Sequence, residues 1–328
     1  MRKGHDMTSR LRLTTLVLLL VAGSAVAQTR DFPQRSIRIV APVPPGGSVD
    51  IVARLIARKM SDSLGQSVVV DNRGGASTNI GMEIVARAPG DGYTLLANTI
   101  ALVANPSLFP KLPFEVEKDF APVSLVVNGP SIIVAHPSVP ARNVKELIAL
   151  AQARPGIIKY SSGGTGTLTH LGAELFKYMT RSDMVHVPYK GGGPAIAALM
   201  SGECDVSFQT VLASASQVAA GRLRALAVTG RSRLALLPEV ATVAESGVPN
   251  YEFQSWVGIL APAATPPAIV KVLNDHIVKA ARTPDVSESF VREGSEVIAS
   301  TPEYFRKLIA AEIAMWAKVI REMGLKVD

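Results

Sequence analysis

The stretch "SIRIVAPVPPGGSVDIVARLIARKMSDSLGQSVVVDN", residues 36–72, contains a strand, a loop, a helix and a second strand in that order. Its two ends are rich in Val and Ile, while residues 48–65 place apolar side chains such as Ile51, Leu55 and Ile56 at helical spacing. A further helix and strand follow before residue 100. Strands that alternate with helices in this way predict a parallel sheet covered by helices.

The alternation of strands and helices starts again in the middle of the chain. Two strands are predicted at 118–128 and 131–137, with a break at Asn128-Gly129-Pro130, and a similar strand at 255–263 leads into three C-terminal helices. We therefore predict an α/β fold of two lobes, each a mainly parallel sheet flanked by helices, with the second unit inserted into the first. Ligands bind beyond the carboxyl ends of parallel strands, so a ligand cleft is expected between the lobes. The predicted division is residues 1–27 as a signal peptide, 28–130 as the first part of lobe 1, 131–254 as lobe 2, and 255–328 as the return crossover and C-terminal helices that complete lobe 1.

Residues 1–27 have the pattern of a secretory signal peptide. Basic side chains precede the apolar run LTTLVLLLVAGSAVA, which ends in Ala25-Val26-Ala27, the small-residue pattern of a cleavage site. The alternative is an uncleaved membrane anchor, but the apolar run is shorter than the ~20 residues that cross a bilayer. The sequence therefore predicts an exported mature chain that begins at Gln28.

Charge and cysteine content argue against several classes of function. The 328 residues carry a net charge of +7. Removal of the predicted signal peptide, with four basic side chains and Asp6, leaves about +4. These charges are scattered, without basic blocks, so we expect no nucleic-acid partner. Cys204 is the only cysteine, which excludes an intramolecular disulfide and a thiolate metal cluster in this chain. We expect Cys204 to be buried as a small apolar residue.

Four glycine-rich loops follow predicted strands and precede predicted helices. Backbone N–H groups at such helix starts favour an anion. The chain contains no GK[ST] sequence, and GGTGTLT lacks the third glycine of a dinucleotide fingerprint. Neutral hydroxyls and backbone N–H groups suit a carboxylate as well as a phosphate. We name the segments the first glycine loop (41–54, in which Ser48 is the predicted N-cap), the second (72–86), the third (160–170) and the fourth (187–199).

Catalytic and metal-binding patterns are weak in this sequence. None of the mature chain's four histidines has HExxH spacing, although His170 and Glu174 share a helix face, and no G-x-S-x-G is present. We predict no enzyme, no metal and no cofactor. The alternative from another class is an enzyme that uses His170 beside Thr167 and Thr169.

Stretches such as "PPGGSVDIVARLIARKMSDSLGQSVVVDNRGGA", "YSSGGTGTLTHLGAELF" and "VPYKGGGPAIAALMSGECDVSF" occur in order along the mature chain. In these stretches the chain resembles the Bug family, the periplasmic solute receptors of tripartite tricarboxylate transporters. The resemblance implies a two-lobed periplasmic binding protein of type II-like fold, located in the periplasm of a Gram-negative cell. It also implies a small carboxylate ligand and membrane permease subunits as partners. A periplasmic sensor that serves a signalling partner is the alternative. The ligand is left open among dicarboxylates, tricarboxylates, amino acids and aromatic acids.

The resemblance also implies a set of ligand-binding residues. Three loop segments depart from the family pattern. Val43 stands where the family usually has an aromatic residue before the Pro-Gly-Gly of the first glycine loop. Ser77 and Thr78 replace two glycines of the usual GAGGNIG, and Gln209 and Thr210 stand where the family has an acid and an amide. These departures are expected to reach the distal end of the ligand and to favour an acid with several oxygens. The predicted ligand-binding residues are Pro45, Gly46, Gly47, Ser48, Ser77, Thr78, Asn79, Ser162, Gly163, Gly166, Thr167, His170, Asp205, Gln209 and Thr210.

Overall fold

The computed structural model describes residues 32–292 and 294–325. The predicted signal peptide lies outside these residues. The strands are β1 (Ile37–Ala41), β2 (Val68–Asn72), β3 (Thr94–Asn98), β4 (Phe120–Ala135), β5 (Lys159–Ser162), β6 (Val185–Pro188), β7 (Val206–Thr210), β8 (Arg224–Val228), β9 (Gln254–Pro262) and β10 (Glu296–Val297). The helices are α1 (Ser48–Leu64), α2 (Asn79–Ala86), α3 (Ala101–Leu108), α4 (Val116–Asp119), α5 (Val144–Ala153), α6 (Leu168–Thr180), α7 (Gly192–Met200), α8 (Val211–Ala219), α9 (Pro267–Ala281), α10 (Pro284–Arg292) and α11 (Pro302–Met323).

The sheet of lobe 1 has the strand order β2-β1-β3-β9-β4. Strand β1 is parallel to β2 and β3, whereas β9 is antiparallel to both β3 and β4. The short strand β10 also pairs with β4. The carboxyl ends of β1, β2 and β3 therefore lie at one edge, where the first and second glycine loops begin.

The sheet of lobe 2 has the order β6-β5-β7-β4, and β8 also pairs with β4. Strand β5 is parallel to β6 and β7, while β7 and β8 are antiparallel to β4. The third and fourth glycine loops leave the carboxyl ends of β5 and β6. This lobe therefore also has its glycine loops at one sheet edge.

Strand β4 belongs to both sheets. It is a single strand of 16 residues, so the break predicted at Asn128-Gly129-Pro130 is wrong. Pro130 forms the last pair with β9, opposite Gln254, and Ser131 forms the first pair with β7. Proline is tolerated here because its missing N–H falls where the strand passes from one sheet to the other. The lobe boundaries at 131 and 255 stay predictions.

Buried apolar side chains cover the sheet faces. Helix α1 buries one stripe, including Val49, Val52, Ile56 and Met60, against β1 and β3, which fixes the start of α1 beyond the end of β1. The prediction that Cys204 is buried is confirmed. In the described part of the chain, every helix is too short or too polar to cross a membrane.

Candidate functional site

A cavity of about 140 Å³ lies between the two lobes, at the ends of strands from both sheets. Lobe 1 contributes the first and second glycine loops and the start of α3. Lobe 2 contributes the third and fourth glycine loops and the residues that join β7 to α8. Among the predicted ligand-binding residues, those that line the cavity are Gly47, Ser48, Ser77, Thr78, Gly163, Thr167, Gln209 and Thr210.

Other predicted residues lie next to the cavity without lining it. The backbone N–H of Gly46 donates to the Asp50 carboxylate at 3.0 Å, and Pro45 is exposed beside it. Asn79 is buried beneath the second loop, where its side-chain oxygen accepts a hydrogen bond from Asn105. Ser162, Gly166 and His170 lie behind the surface of the third loop.

The structure places Asp205 away from the cavity. It precedes β7, whereas Thr210, at the other end of that strand, lines the cavity. A rise of ~3.3 Å per residue puts the two positions ~16 Å apart. The Asp205 carboxylate instead accepts the backbone N–H of Lys159 at 2.7 Å, at the start of β5. Asp205 therefore lies at the end of β7 that is away from the cavity. The sequence motif alone does not show which end of the strand reaches the cavity.

Six helices begin at the cavity. The first turn of a helix leaves N–H groups with no partner inside the helix, and these carry partial positive charge. In none of the six does the N-cap side chain accept a capping hydrogen bond. The lining residues at these helix starts are Ser48 (α1), Thr78 (α2), Ala101 (α3), Leu168 (α6), Gly192 (α7) and Ala213 (α8).

The N-cap of α1 differs from the prediction. Gly47 is the N-cap and Ser48 is the first helical residue. Gly47 adopts an extended conformation that needs no side chain, so the Ser48 side chain makes no cap bond and lines the cavity instead. The doubled glycine therefore leaves a hydroxyl at the cavity wall.

Asp50 holds the first glycine loop from behind. Its buried carboxylate accepts hydrogen bonds from the Gly46 N–H, from Asn72 at 2.8 Å and from Arg54, whose Nε lies 3.0 Å away. Burial raises the pKa of Asp50, but the bonds from Arg54, Gly46 and Asn72 outweigh it and hold the pKa below its ordinary value. The loop is thus tied both to α1 and to the end of β2.

The second glycine loop carries backbone strain at the cavity. Ala76, Ser77 and Thr78 have φ values of 45°, 53° and 76°, in the left-handed region that favours glycine. Each such residue costs roughly 1–2 kcal/mol. The Asn105 amide stabilises this backbone by donating to the Ser77 carbonyl at 2.8 Å and to Asn79 at 2.9 Å. Ser77 and Thr78 thus keep a glycine-like backbone while presenting side chains to the cavity.

A buried polar cluster lies behind the third glycine loop. The Gly166 N–H donates to His170 Nδ1 at 3.2 Å, and the Gly164 N–H donates to Ser162 Oγ at 3.1 Å. Ser162 Oγ also lies 2.5 Å from His186 Nε2. These side chains position the loop by binding its backbone, whereas the lining residues Gly163 and Thr167 form its outer surface.

The two histidines of this cluster are held neutral. Their ring centroids are 4.3 Å apart. Burial lowers the pKa of His170 to about 4, and the Lys177 charge adds to the effect. Burial also lowers the pKa of His186 to about 3, with smaller effects from His170 and from the Lys177–Glu174 pair beyond it. A neutral His170 leaves Nδ1 able to accept the Gly166 N–H.

The structure adds cavity residues that sequence reasoning missed. Tyr189, Lys190, Gly191 and Gly192 of the fourth glycine loop line the cavity, and Lys190 is the one charged side chain in its described lining. The three glycines of this loop are a signal in the sequence, but the pattern does not indicate which of its side chains reaches the cavity. Thr99, at the end of β3, also lines the cavity and lies in no glycine loop. Among the described residues, no three His, Cys, Asp or Glu side chains are grouped to hold a metal ion.

The family model described as "Tripartite tricarboxylate transporter family receptor" matches residues 52–325. The chain belongs to this family. Tripartite tricarboxylate receptors are solute-binding proteins, and the Bug-family prediction is confirmed.

Named relatives and solved structures agree with this membership. Protein BugT of Bordetella pertussis is 38% identical over 321 residues, which cover 97% of this chain and 98% of BugT. R. palustris Rpa4515, solved with adipate, is 35% identical with a TM-score of 0.88, covering 90% of this chain and 100% of the other. MatC (Rpa3494) from Rhodopseudomonas palustris, solved with bound malate, is 31% identical with a TM-score of 0.84, covering 88% of this chain and 100% of the other. The predicted periplasmic-binding-protein fold is confirmed.

Proposed function

We propose that this receptor captures a small carboxylate-bearing ligand between its lobes, in the periplasm, and presents it to the permease subunits of a tripartite tricarboxylate transporter. The observation that carries the proposal is the meeting of six helix N-termini at one cavity. No Asp or Glu side chain is among the described residues that line it. The lining itself therefore offers positive potential without an acid, and the Asp50 carboxylate behind the first glycine loop is paired with Arg54.

Helix N-termini can bind a carboxylate without a buried salt bridge. An anion near one N-terminus gains ~0.3–1 kcal/mol, and up to ~2 kcal/mol in a partly buried geometry. Hydroxyls of Ser48 and Thr210 stand among the helix starts and can donate further hydrogen bonds. Neutral donors of this kind avoid the desolvation cost of an ion pair.

The carbon body of the ligand has apolar surfaces to contact. Pro42, Val43 and Val49 line the lobe 1 side, and Leu168 and Ala213 line the lobe 2 side. Adipate and malate, the acids with which two relatives were solved, combine carboxylates with a short carbon chain. A small acid of this class is the ligand that we propose.

Ligand binding is proposed to favour the closed arrangement of the lobes. The ligand would contact helix starts from both lobes at once, so it binds the closed form better than the open form and shifts the population towards it. We propose no catalytic step, because the lining described here includes no His, Cys, Asp or Glu that could act as a base or nucleophile beside the ligand.

A thermal-shift screen of residues 28–328 tests the proposal. The protein is unfolded and refolded to remove bound ligand, then heated with dicarboxylates, tricarboxylates, amino acids and aromatic acids. An acid at 100 times its Kd stabilises the fold by ~2.7 kcal/mol. For a chain of this size the expected rise in Tm is roughly 5–10 °C. A flat response to every acid contradicts the proposal. For an acid that binds, its uptake in cells with and without the receptor tests the transport step.

A further inference from the structure

Lys190 brings the cavity a charge that the described residues leave unpaired. It is exposed at the cavity mouth, and no described Asp or Glu oxygen lies within the 4.0 Å salt-bridge distance of its Nζ. The acid close to its own loop is already engaged, because Glu203 accepts the Tyr189 hydroxyl at 2.7 Å. Because the described lining includes no acid, the Lys190 ammonium is available to pair with an anionic group of a ligand.

The backbone on both sides of Lys190 is fixed to lobe 2. The Tyr189 N–H donates to the Ser162 carbonyl at 2.9 Å, and the Gly191 N–H donates to the Gly163 carbonyl at 3.0 Å. The Lys190 Cα therefore has a defined position, while its four-carbon stem can still move the ammonium. A fixed base with a flexible stem suits acids of more than one length.

Lys190 also lies at the seam between the lobes. A Cβ on Gly191 would fall only 2.4 Å from Pro44 Cδ, so this glycine permits close contact with the first glycine loop. Gly193 also faces the first glycine loop, where an added Cβ would lie at an ordinary contact distance of 3.5 Å from the Pro45 carbonyl oxygen. When the two lobes are in contact, the Lys190 ammonium lies beside a cavity whose walls come from both lobes.

We propose that Lys190 pairs with a second anionic group of the ligand, so that the receptor selects diacids over monoacids. This inference rests on the proposed function, in which a first carboxylate binds at the helix N-termini. The Lys190 ammonium would meet the second carboxylate at the other end of the carbon chain and form a charge-assisted hydrogen bond.

The test compares each diacid with its monoamide, a molecule of the same length in which an uncharged amide replaces one carboxylate. Binding of succinate, glutarate, adipate and pimelate, each beside its monoamide, is measured by calorimetry on the wild-type mature protein and on Lys190→Gln and Lys190→Arg. Lys159→Gln is the control, because Lys159 is an exposed lysine at the far end of β5 in the same lobe.

The expected result is a preference of about tenfold for at least one diacid over its monoamide in wild type and in Lys159→Gln. That preference falls to about one in Lys190→Gln and is largely kept in Lys190→Arg. A preference that survives in Lys190→Gln, or binding of monoacids alone, overturns the role of Lys190 and leaves the proposed function standing. Failure of every carboxylate to bind overturns both.

Discussion

At the scale of single residues, the side chains behind the cavity are as informative as those that line it. Asp50 anchors the first glycine loop, and His170 anchors the third, each by accepting a backbone N–H. Neither is among the lining residues. Protonation of Nδ1 removes the acceptor of His170, so the geometry of the third glycine loop is coupled to pH.

The histidine cluster predicts a loss of stability in mild acid. The unfolded chain protonates His170 near its ordinary pKa of 6.5, whereas the folded chain resists protonation down to about 4. The unfolded state then binds more protons between these values, so the free energy of unfolding falls as the pH drops from 6.5 to about 4. Above pH 6.5 the contribution of His170 is fully present.

Urea unfolding of the wild type and of His170→Asn between pH 8 and 4.5 checks this prediction. The Asn amide oxygen can accept the Gly166 N–H but does not titrate. The wild type is expected to lose up to ~1.4 kcal/mol per pH unit more than the variant below pH 6. His186, Glu174 and Lys177, which face His170, are unchanged in the variant. Parallel pH profiles for the two proteins would contradict the assignment.

At the scale of elements, the starts of six helices surround the cavity. Helices from both lobes begin there because strands of each sheet end at the cleft edge. Gly47, Thr167 and Thr210 occupy N-cap positions in extended conformation but make no side-chain cap bond. These helix starts therefore lack the stabilisation, typically ~1 kcal/mol, that a side-chain cap supplies.

An acidic side chain introduced at one of these helix starts should take the place of the ligand carboxylate. In Ala213→Asp, the new carboxylate lies in the first turn of α8, where it stabilises the helix by ~0.3–1 kcal/mol and repels an anion in the cavity. We expect the ligand-free protein to be at least as stable as the wild type, and carboxylate affinity to fall by tenfold or more. Ala314→Asp, on the exposed part of α11, is the control and should bind normally. Wild-type affinity in Ala213→Asp, measured by calorimetry, would argue against anion binding at these helices.

At the scale of the whole molecule, two glycines of lobe 2 permit contact with lobe 1. A Cβ on Gly191 would collide with Pro44, and a Cβ on Gly166 would lie 2.5 Å from Asn105 Oδ1. Asn105 is the residue that holds the strained second loop, so one of these contacts joins the third loop to the second. The close approach of the two lobes in this structure therefore depends on the absence of side chains at two points of the seam.

Gly191→Ala is expected to hinder closure. The added methyl group overlaps Pro44, a clash of the kind that costs ~1–3 kcal/mol, so ligand affinity should fall roughly 5- to 150-fold. Gly191 has φ 116° and ψ 169°, so the variant also strains the fourth glycine loop. Gly221→Ala controls for the loss of a glycine with positive φ (68°), with nothing within 4 Å of the new Cβ. The control should lose stability without losing affinity. Small-angle scattering should show compaction on ligand addition in the control and less in Gly191→Ala; equal compaction and affinity would contradict the contact.

Much of the architecture was predictable because it depends on local pattern. The α1 prediction of 48–65 agrees with Ser48–Leu64 because its apolar stripe has helical period and a glycine follows it. The break predicted at residues 128–130 was wrong. Glycine and proline end a strand only where the sheet requires the side chain that glycine lacks or the N–H that proline lacks. Their position at the changeover between two sheets depends on strand order, which local pattern does not contain.

The sequence by itself determined which segments form the walls of the cavity. These are glycine-rich loops at strand ends, with the hydroxyls of Ser48, Thr78 and Thr167 at the predicted helix starts. Only the tertiary structure decided which side chains reach the cavity. His170 faces the back of its loop, Asp205 lies at the wrong end of its strand, and Lys190 stands at the mouth. The physical reason is that side-chain direction follows from where a helix begins and which elements pack behind it. Those elements are brought together by β4, β7 and β9 from distant parts of the chain.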